Sequence, residues 1–461
     1  MATLSLASIN PATGRVVREW SETDDDELER TLARADDAAR RWSESDFDAR
    51  ATRMVRAARL LRDGADDFAR LMAEEMGKPL PQGRAEAEKC ASACDYYAEH
   101  AERFLADEPA ETGAGRAYVS FRPLGVVLAI MPWNFPFWQV VRFAAPALMA
   151  GNGAVLKHAP GVQGCAHALE ELFRTAGFSD GLFSNLAIDE SRVAGVIGDS
   201  RVRAVTLTGS THAGRAVARA AGAALKKAVL ELGGSDPYVV LEDADVDQAA
   251  ATCVASRLIN GGQSCIAAKR FIVVESVRET FTERVVALMR AKKMGDPLAG
   301  GEDPDLGPLA RTDLRDAVHG QVERSVAEGA ELLLGGKVPT LDGAWYPPTV
   351  LGGVRRGMPA YHEETFGPVA AILPARDEDE AIRLANDTGF GLGAAVFTAD
   401  VARGERIARD RLNAGCCAVN DFVRSDPRLP FGGVRDSGYG RELGVFGIRE
   451  CVNVKTVLVR E

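Results

Sequence analysis

Beyond about residue 116 the chain alternates short apolar runs with helical patterns, and no other feature constrains its fold as much. RAYVSF, GVVLAIM, GAVLKH, LFSNLAI and VRAVTLTG read as strands, and GCAHALEELFRTAG and THAGRAVARAAG, between or after them, carry apolar residues at helical spacing. Runs this apolar need cover on both faces, so the alternation predicts parallel sheets flanked by helices. A second series follows Gly234: DPYVVLED, KRFIVVES, AELLLGG, AAILPA and GAAVFTAD read as strands, with amphipathic stretches such as RETFTERVVALMRAKKM between them. The first third reads as helical, and the tail CVNVKTVLV as one more strand. A chain of 461 residues has room for two or three core-bearing units, and no internal repeat or low-complexity linker interrupts it.

Composition removes several function classes. A net charge of -11 argues against nucleic acid as a main partner, since binding there needs a basic face. The most apolar stretch, GVVLAIMPWNFPFWQVV, is broken by Pro132, Asn134 and Pro136, so no membrane span is expected. The N-terminus lacks a basic region followed by a long apolar one, so no secretory signal is expected either. The eight cysteines form no CxxC pair and no His/Cys spacing typical of zinc, so no metal site is expected. A reduced, cytoplasmic setting is the expectation, with most cysteines acting as small buried hydrophobes.

Four stretches carry chemistry. GGQSC (261–265) sets Cys265 among small residues, which give a thiolate nucleophile room for tetrahedral attack. MPWNFPFWQ (131–139) holds Asn134 in a proline-flanked loop, where a fixed amide can donate to a developing oxyanion. VLELGGSDP (229–237) puts Glu231 at a strand end before two glycines, where a carboxylate can serve as a general base. TLTGSTHAG (206–214) places Gly209 and Ser210 between a strand and a helix, whose N-terminus can hold a phosphate. Each alone also fits a plainer role: a buried inert cysteine, a structural turn, a surface glutamate, an ordinary strand-to-helix turn.

Together and in this order, with EETFGPV (363–369) and PFGGVRDSGYGRELG (430–444), the stretches resemble the aldehyde dehydrogenase superfamily from about Ile9 to Val459. Finer texture, such as EEMGKPLPQGRAEAE and LELGGSDPYVVLEDAD, is most similar to the bacterial succinate-semialdehyde dehydrogenases of the NAD(P)+ type. The resemblance implies two α/β domains with parallel sheets and a small β oligomerisation arm. The cofactor domain would take 1–111 and 125–233, the catalytic domain 234–436, and the arm 112–124 and 437–461. Such an arm exposes strand edges, so a homodimer or homotetramer is implied.

The resemblance also implies roles. Cys265 would attack the aldehyde, Asn134 and the Cys265 N–H would hold the oxyanion, and Glu231 would activate water to release a free acid from the thioester. NAD or NADP would be the cofactor. Lys157 would reach the adenosine ribose, Gly209 and Ser210 the pyrophosphate, and Glu364 the nicotinamide ribose, with Trp133 and Phe366 lining the site. Pro160 stands where strict NAD enzymes of the family often have Glu, which removes repulsion of a 2′-phosphate, and His158 could help attract one. Arg435 stands where a Lys is usual in PFGGVRDSG, with the charge kept.

For a carboxylated substrate, Arg142 matches a carboxylate-binding position, and its plainer role is a helix-surface arginine. A second Arg expected six residues before the nucleophile is replaced by Ile259, with Arg257 nearby, and the loop NDFVRSDPRLP offers Arg424, Ser425 and Arg428 instead. Trp138 and Phe422 would give aromatic walls, which would also suit a neutral aliphatic or aromatic aldehyde. Ala267, in place of a second cysteine, rules out a disulfide switch within the nucleophile loop.

Overall fold

The computed structural model describes residues 6–112 and 115–460. Gly113 and Ala114 of the expected arm segment 112–124, residues 1–5 and Glu461 lie outside that description.

The apolar runs form two large sheets. In the first, the strands Lys227–Glu231, Val202–Thr208, Val126–Met131, Gly153–His158 and Phe183–Asn185 lie side by side and parallel. The second orders Glu331–Leu334, Thr349–Gly352, Val369–Ala375, Ala268–Val274, Asp236–Val240, Gly393–Phe397 and Cys416–Val419, all parallel except the first. Helices cover both, as strands buried on both faces require. The tail returns to the first sheet, where Gly438–Tyr439 pairs antiparallel with the strand ending at Glu231. Val452–Val459 then pairs along its whole length with Arg116–Pro123.

Two helices bear on the site. Leu80–Phe104 buries a stripe of Gly83, Glu86, Ala87, Cys90, Cys94, Tyr97 and Ala101, and Gly83 lets it close on Ala69 of the preceding helix. Trp138–Met149 is buried at every residue, including Arg142. Arg142 is therefore not the helix-surface residue its position also allowed. LFSNLAI yields only the short strand Phe183–Asn185. Six strands were not legible in advance: Leu6–Ile9, Val16–Trp20, Glu108–Ala110, Thr349–Gly352, Cys416–Val419 and Gly438–Tyr439.

Candidate active site

Cys265 follows a turn whose backbone accounts for its sequence. Asn260, Gly261 and Gly262 adopt φ of 54°, 65° and 78°, a left-handed run that Asn and Gly tolerate. A Cβ at Gly262 would collide with the Gly367 carbonyl, so only glycine fits. The buried Lys269 donates to the carbonyls of Ser264 at 3.0 Å and Cys265 at 2.7 Å, and Arg257 donates to the Gly262 carbonyl. Arg257 is thus a brace for the turn and does not substitute for the missing second arginine.

Asn134 sits in the segment joining the strand Val126–Met131 to the helix Trp138–Met149. Its Nδ2 donates to the Gln263 carbonyl at 3.0 Å, so the amide reaches the cysteine turn directly. Three buried side chains fasten this segment. Lys78 donates to the Asn134 carbonyl at 3.0 Å and pairs with Glu86. Glu86 Oε1 accepts from the N–H groups of Phe137 and Trp138, both at 2.9 Å. His158 Nε2 faces the Pro136 carbonyl at 2.9 Å, and Nδ1 faces the Met131 carbonyl at 3.1 Å and the Ala159 N–H at 3.0 Å. Burial pushes the His158 imidazole down to about 4. A neutral, fully engaged imidazole has no charge to offer, which corrects the expectation that His158 attracts a 2′-phosphate.

A cavity of about 260 Å³ collects Trp133, Asn134, Gly209, Ser210, Cys265, Glu364 and Phe366. The Trp133 and Phe366 rings meet edge-on, with centroids 5.8 Å apart. Ser210 caps the helix Thr211–Ala223 by accepting from the Ala213 N–H at 3.2 Å, and the Gly209 N–H donates to the Glu231 carbonyl at 3.0 Å. Gly233 has no room for a Cβ because the Glu364 carboxylate lies against it, and Glu364 Oε1 accepts from the Gly234 N–H at 2.9 Å. Lys157, at the end of Gly153–His158, is buried, and desolvation lowers its pKa. An open helix N-terminus, a lysine and a carboxylate at the carboxyl ends of parallel strands are a donor set that fits a dinucleotide.

Glu231 ends its strand 2% exposed, and neither carboxylate oxygen has a hydrogen-bond partner among the described residues. Its Oε1 lies so close to Gly432 that a Cβ there would clash, and Glu231 does not line the Cys265 cavity. Burial first, and the Glu442 charge second, raise its carboxyl well above the carboxylate range. Burial likewise pushes the Cys265 thiol up to about 12, with Arg142 and Lys269 pulling the other way. Both groups are thus shifted toward their neutral forms.

The remaining expected residues divide. Trp138 Nε1 donates to Ser425 Oγ at 3.1 Å, so the structure brings these two together. Arg142 stands apart: it is 2% exposed, forms an ion pair with Glu442 and donates to Thr208 Oγ1 at 3.1 Å. Arg142 is thus held by Glu442 and Thr208 and does not line the Cys265 cavity. Arg424 and Arg428 are exposed and paired with Asp421 and Asp426. Phe422 stacks under the Arg424 guanidinium at 3.6 Å.

Sequence reasoning missed Lys78, Glu86, Lys89, Lys269 and Glu442. The one available signal was the spacing in Leu80–Phe104, where Glu86 falls on the apolar stripe beside Ala87 and Cys90.

The chain is similar to known proteins along nearly its whole length. The profile described as "Aldehyde dehydrogenase family" matches residues 2–457. The chain is 49% identical to the succinate semialdehyde dehydrogenase [NAD(P)+] of Escherichia coli, over 98% of this chain and 97% of that protein. It is 48% identical to the succinate-semialdehyde dehydrogenase [NADP(+)] of Mycobacterium avium, over 99% and 97%. Among solved structures, the succinic semialdehyde dehydrogenase of Streptococcus pyogenes in complex with NADP+ superposes with a TM-score of 0.96 at 37% identity, covering 99% of this chain and 100% of that one.

Proposed function

The chain belongs to the aldehyde dehydrogenase family, and from that premise we propose that it oxidises succinate semialdehyde to succinate with NADP+ or NAD+. The observation that carries the reading is the convergence of Cys265, Asn134, Ser210 and Glu364 on one cavity. Full-length relatives named for this substrate support it.

Cys265 Sγ, once deprotonated, adds to the aldehyde carbon. The Asn134 amide and the Cys265 N–H stabilise the charge that builds on the oxygen, and the braces on the 131–138 segment hold that amide in place beforehand. Lys157 and the Gly209–Ser210 turn hold the adenosine ribose and pyrophosphate, Glu364 holds the second ribose, and Trp133 and Phe366 shield the reacting carbon from water. When bound, the nicotinamide supplies the acceptor for the hydride that the substrate carbon gives up. Glu231 then takes a proton from the water that frees the acid from Cys265, which requires its side chain to swing from Gly432 toward the cavity. Pro160 itself brings no carboxylate to repel a 2′-phosphate, which supports use of NADP+, with Glu190 and Asp189 the carboxylates that act on Lys157.

The setting is the cytoplasm, and the assembly is a homodimer or homotetramer joined through the arm. Support comes from Val454 and Leu458, which stand 60% and 68% exposed on the arm's outer strand. The test of function is NAD(P)H production with succinate semialdehyde, butanal and benzaldehyde under each cofactor. A clear kcat/KM preference for the semialdehyde is expected. A preference for either neutral aldehyde would sink the substrate assignment and leave the dehydrogenase standing.

A further inference from the structure

Lys269 lies near the start of the strand Ala268–Val274, just past the nucleophile, and is 1% exposed. An ammonium carries three donors. Here all three go to the turn: to the carbonyls of Cys265 at 2.7 Å, Ser264 at 3.0 Å and Ala267 at 3.4 Å. The Glu364 carboxylate lies 3.5 Å away. Glu364 lines the Cys265 cavity and Lys269 does not, so the ammonium stands behind the cavity wall. Burial draws its pKa down, while Glu364 first and Asp236 second hold it up. A cation taken this far out of water is expensive, and closing a turn does not require one.

What the cation fixes is a direction. A trans peptide is planar, so its C=O and N–H point opposite ways. The Ser264 carbonyl and the Cys265 N–H belong to one such peptide. The carbonyl is held by Lys269 and also accepts from the Ala267 N–H at 3.2 Å. Drawn toward Lys269, it points away from the cavity, and the Cys265 N–H points into it. Among the described residues that N–H has no acceptor. The bond to the Cys265 carbonyl fixes the following peptide as well, so one ammonium holds the nucleophile's backbone on both sides. Positive charge at the Ser264 carbonyl also polarises the peptide and strengthens its N–H as a donor.

Resting on the reading of Cys265 as the nucleophile, we propose that Lys269 is a positioning residue of the oxyanion hole: by holding the Ser264 carbonyl, it aims the Cys265 N–H at the aldehyde oxygen. The other donor, the Asn134 amide, sits on the segment fastened by Lys78 and Glu86, so each half of the hole has its own buried lysine. The ion pair with Glu364 ties the cysteine half to the carboxylate assigned to the cofactor ribose.

The test separates two reactions of one thiol. Single-turnover hydride transfer to NADP+, with succinate semialdehyde or butanal, whichever the unsubstituted enzyme turns over faster, passes through an oxyanion. Alkylation by iodoacetamide, followed on the Cys265 peptide by mass spectrometry, does not. A change in thiol ionisation or access enters both rates, so their ratio reads the oxyanion hole. In Lys269→Met the ratio of hydride transfer to alkylation should fall at least ~10-fold, part of the roughly 10²–10³ that a lost oxyanion donor costs. Asn134→Ala, which removes the other donor, should lower the same ratio and calibrates it. An unchanged ratio overturns the proposal. So does a parallel loss of both rates, which would make Lys269 a support for the thiol or the fold alone. If Lys269→Met does not fold, the double variant Asp236→Asn/Lys269→Met removes one of the carboxylates the lysine compensates, and the same fall is expected relative to Asp236→Asn. Failure of the underlying reading is separate, because it shows as NADP+ reduction that survives Cys265→Ala.

Discussion

Asn134 and Glu231 show how two polar side chains of one site can be held in opposite ways. The Asn134 side-chain amide donates to the Gln263 carbonyl, and its main-chain carbonyl accepts from Lys78 and Asn260, so its position is set before substrate arrives. Replacing it with alanine should lower kcat by roughly 10²–10³ with cofactor affinity little changed, read from single-turnover rates and cofactor titration. Glu231 has no hydrogen-bond partner among the described residues, and its raised carboxyl sets a pH limit. A base works deprotonated, so activity should fall as pH drops through that raised value, above the ordinary carboxylate range. Glu442→Gln removes a neighbouring negative charge and frees Arg142 to draw Glu231 toward the charged form. The acid limb of the kcat/KM profile should therefore move to lower pH, and an unmoved limb would mean another group sets it. Legibility at this scale followed locality. Cys265 and Asn134 sit among glycines and prolines that advertise an unusual backbone, so their surroundings were readable. Lys89 and Glu86 sit in an alanine-rich helix with partners far along the chain, and single polar residues there look like solvated ones.

Among the elements, the 131–138 segment is placed by its fastenings. Lys78→Met would leave the buried Glu86 without its cation, at a cost of roughly 3–5 kcal/mol. The expected result is an earlier urea midpoint together with reduced kcat, because the same lysine holds the Asn134 carbonyl. An unchanged midpoint would show that Glu86 is satisfied by its two backbone donors. The strands that were readable are long apolar runs such as Val126–Met131 and Ala268–Val274. Those that were not, such as Thr349–Gly352 and Cys416–Val419, span four residues each, and neighbouring strands more than their own pattern recruit them into the sheet.

For the molecule as a whole, alternation predicted two large sheets, and the structure has them beside two small antiparallel ones. Alternation carried no sign of the tail's path, because the pairing of Gly438–Tyr439 with the Glu231 strand joins segments about two hundred residues apart. Removing residues 452–461 strips the arm of its outer strand and leaves Arg116–Pro123 with a bare edge. Light scattering should then find monomer or aggregate in place of the proposed homodimer or homotetramer, and an unchanged mass would remove the arm from the assembly. One feature of the 131–139 segment reaches further. Trp133, Asn134 and Gln139 line the Cys265 cavity, and Phe135 and Trp138 line a second cleft of about 430 Å³ on the other face. A lineage can therefore reshape that cleft by point changes on one side of the partition, leaving the redox apparatus on the other side untouched. A single inserted or deleted residue would scramble both inventories at once, so diversification through this segment should proceed by substitution at constant length.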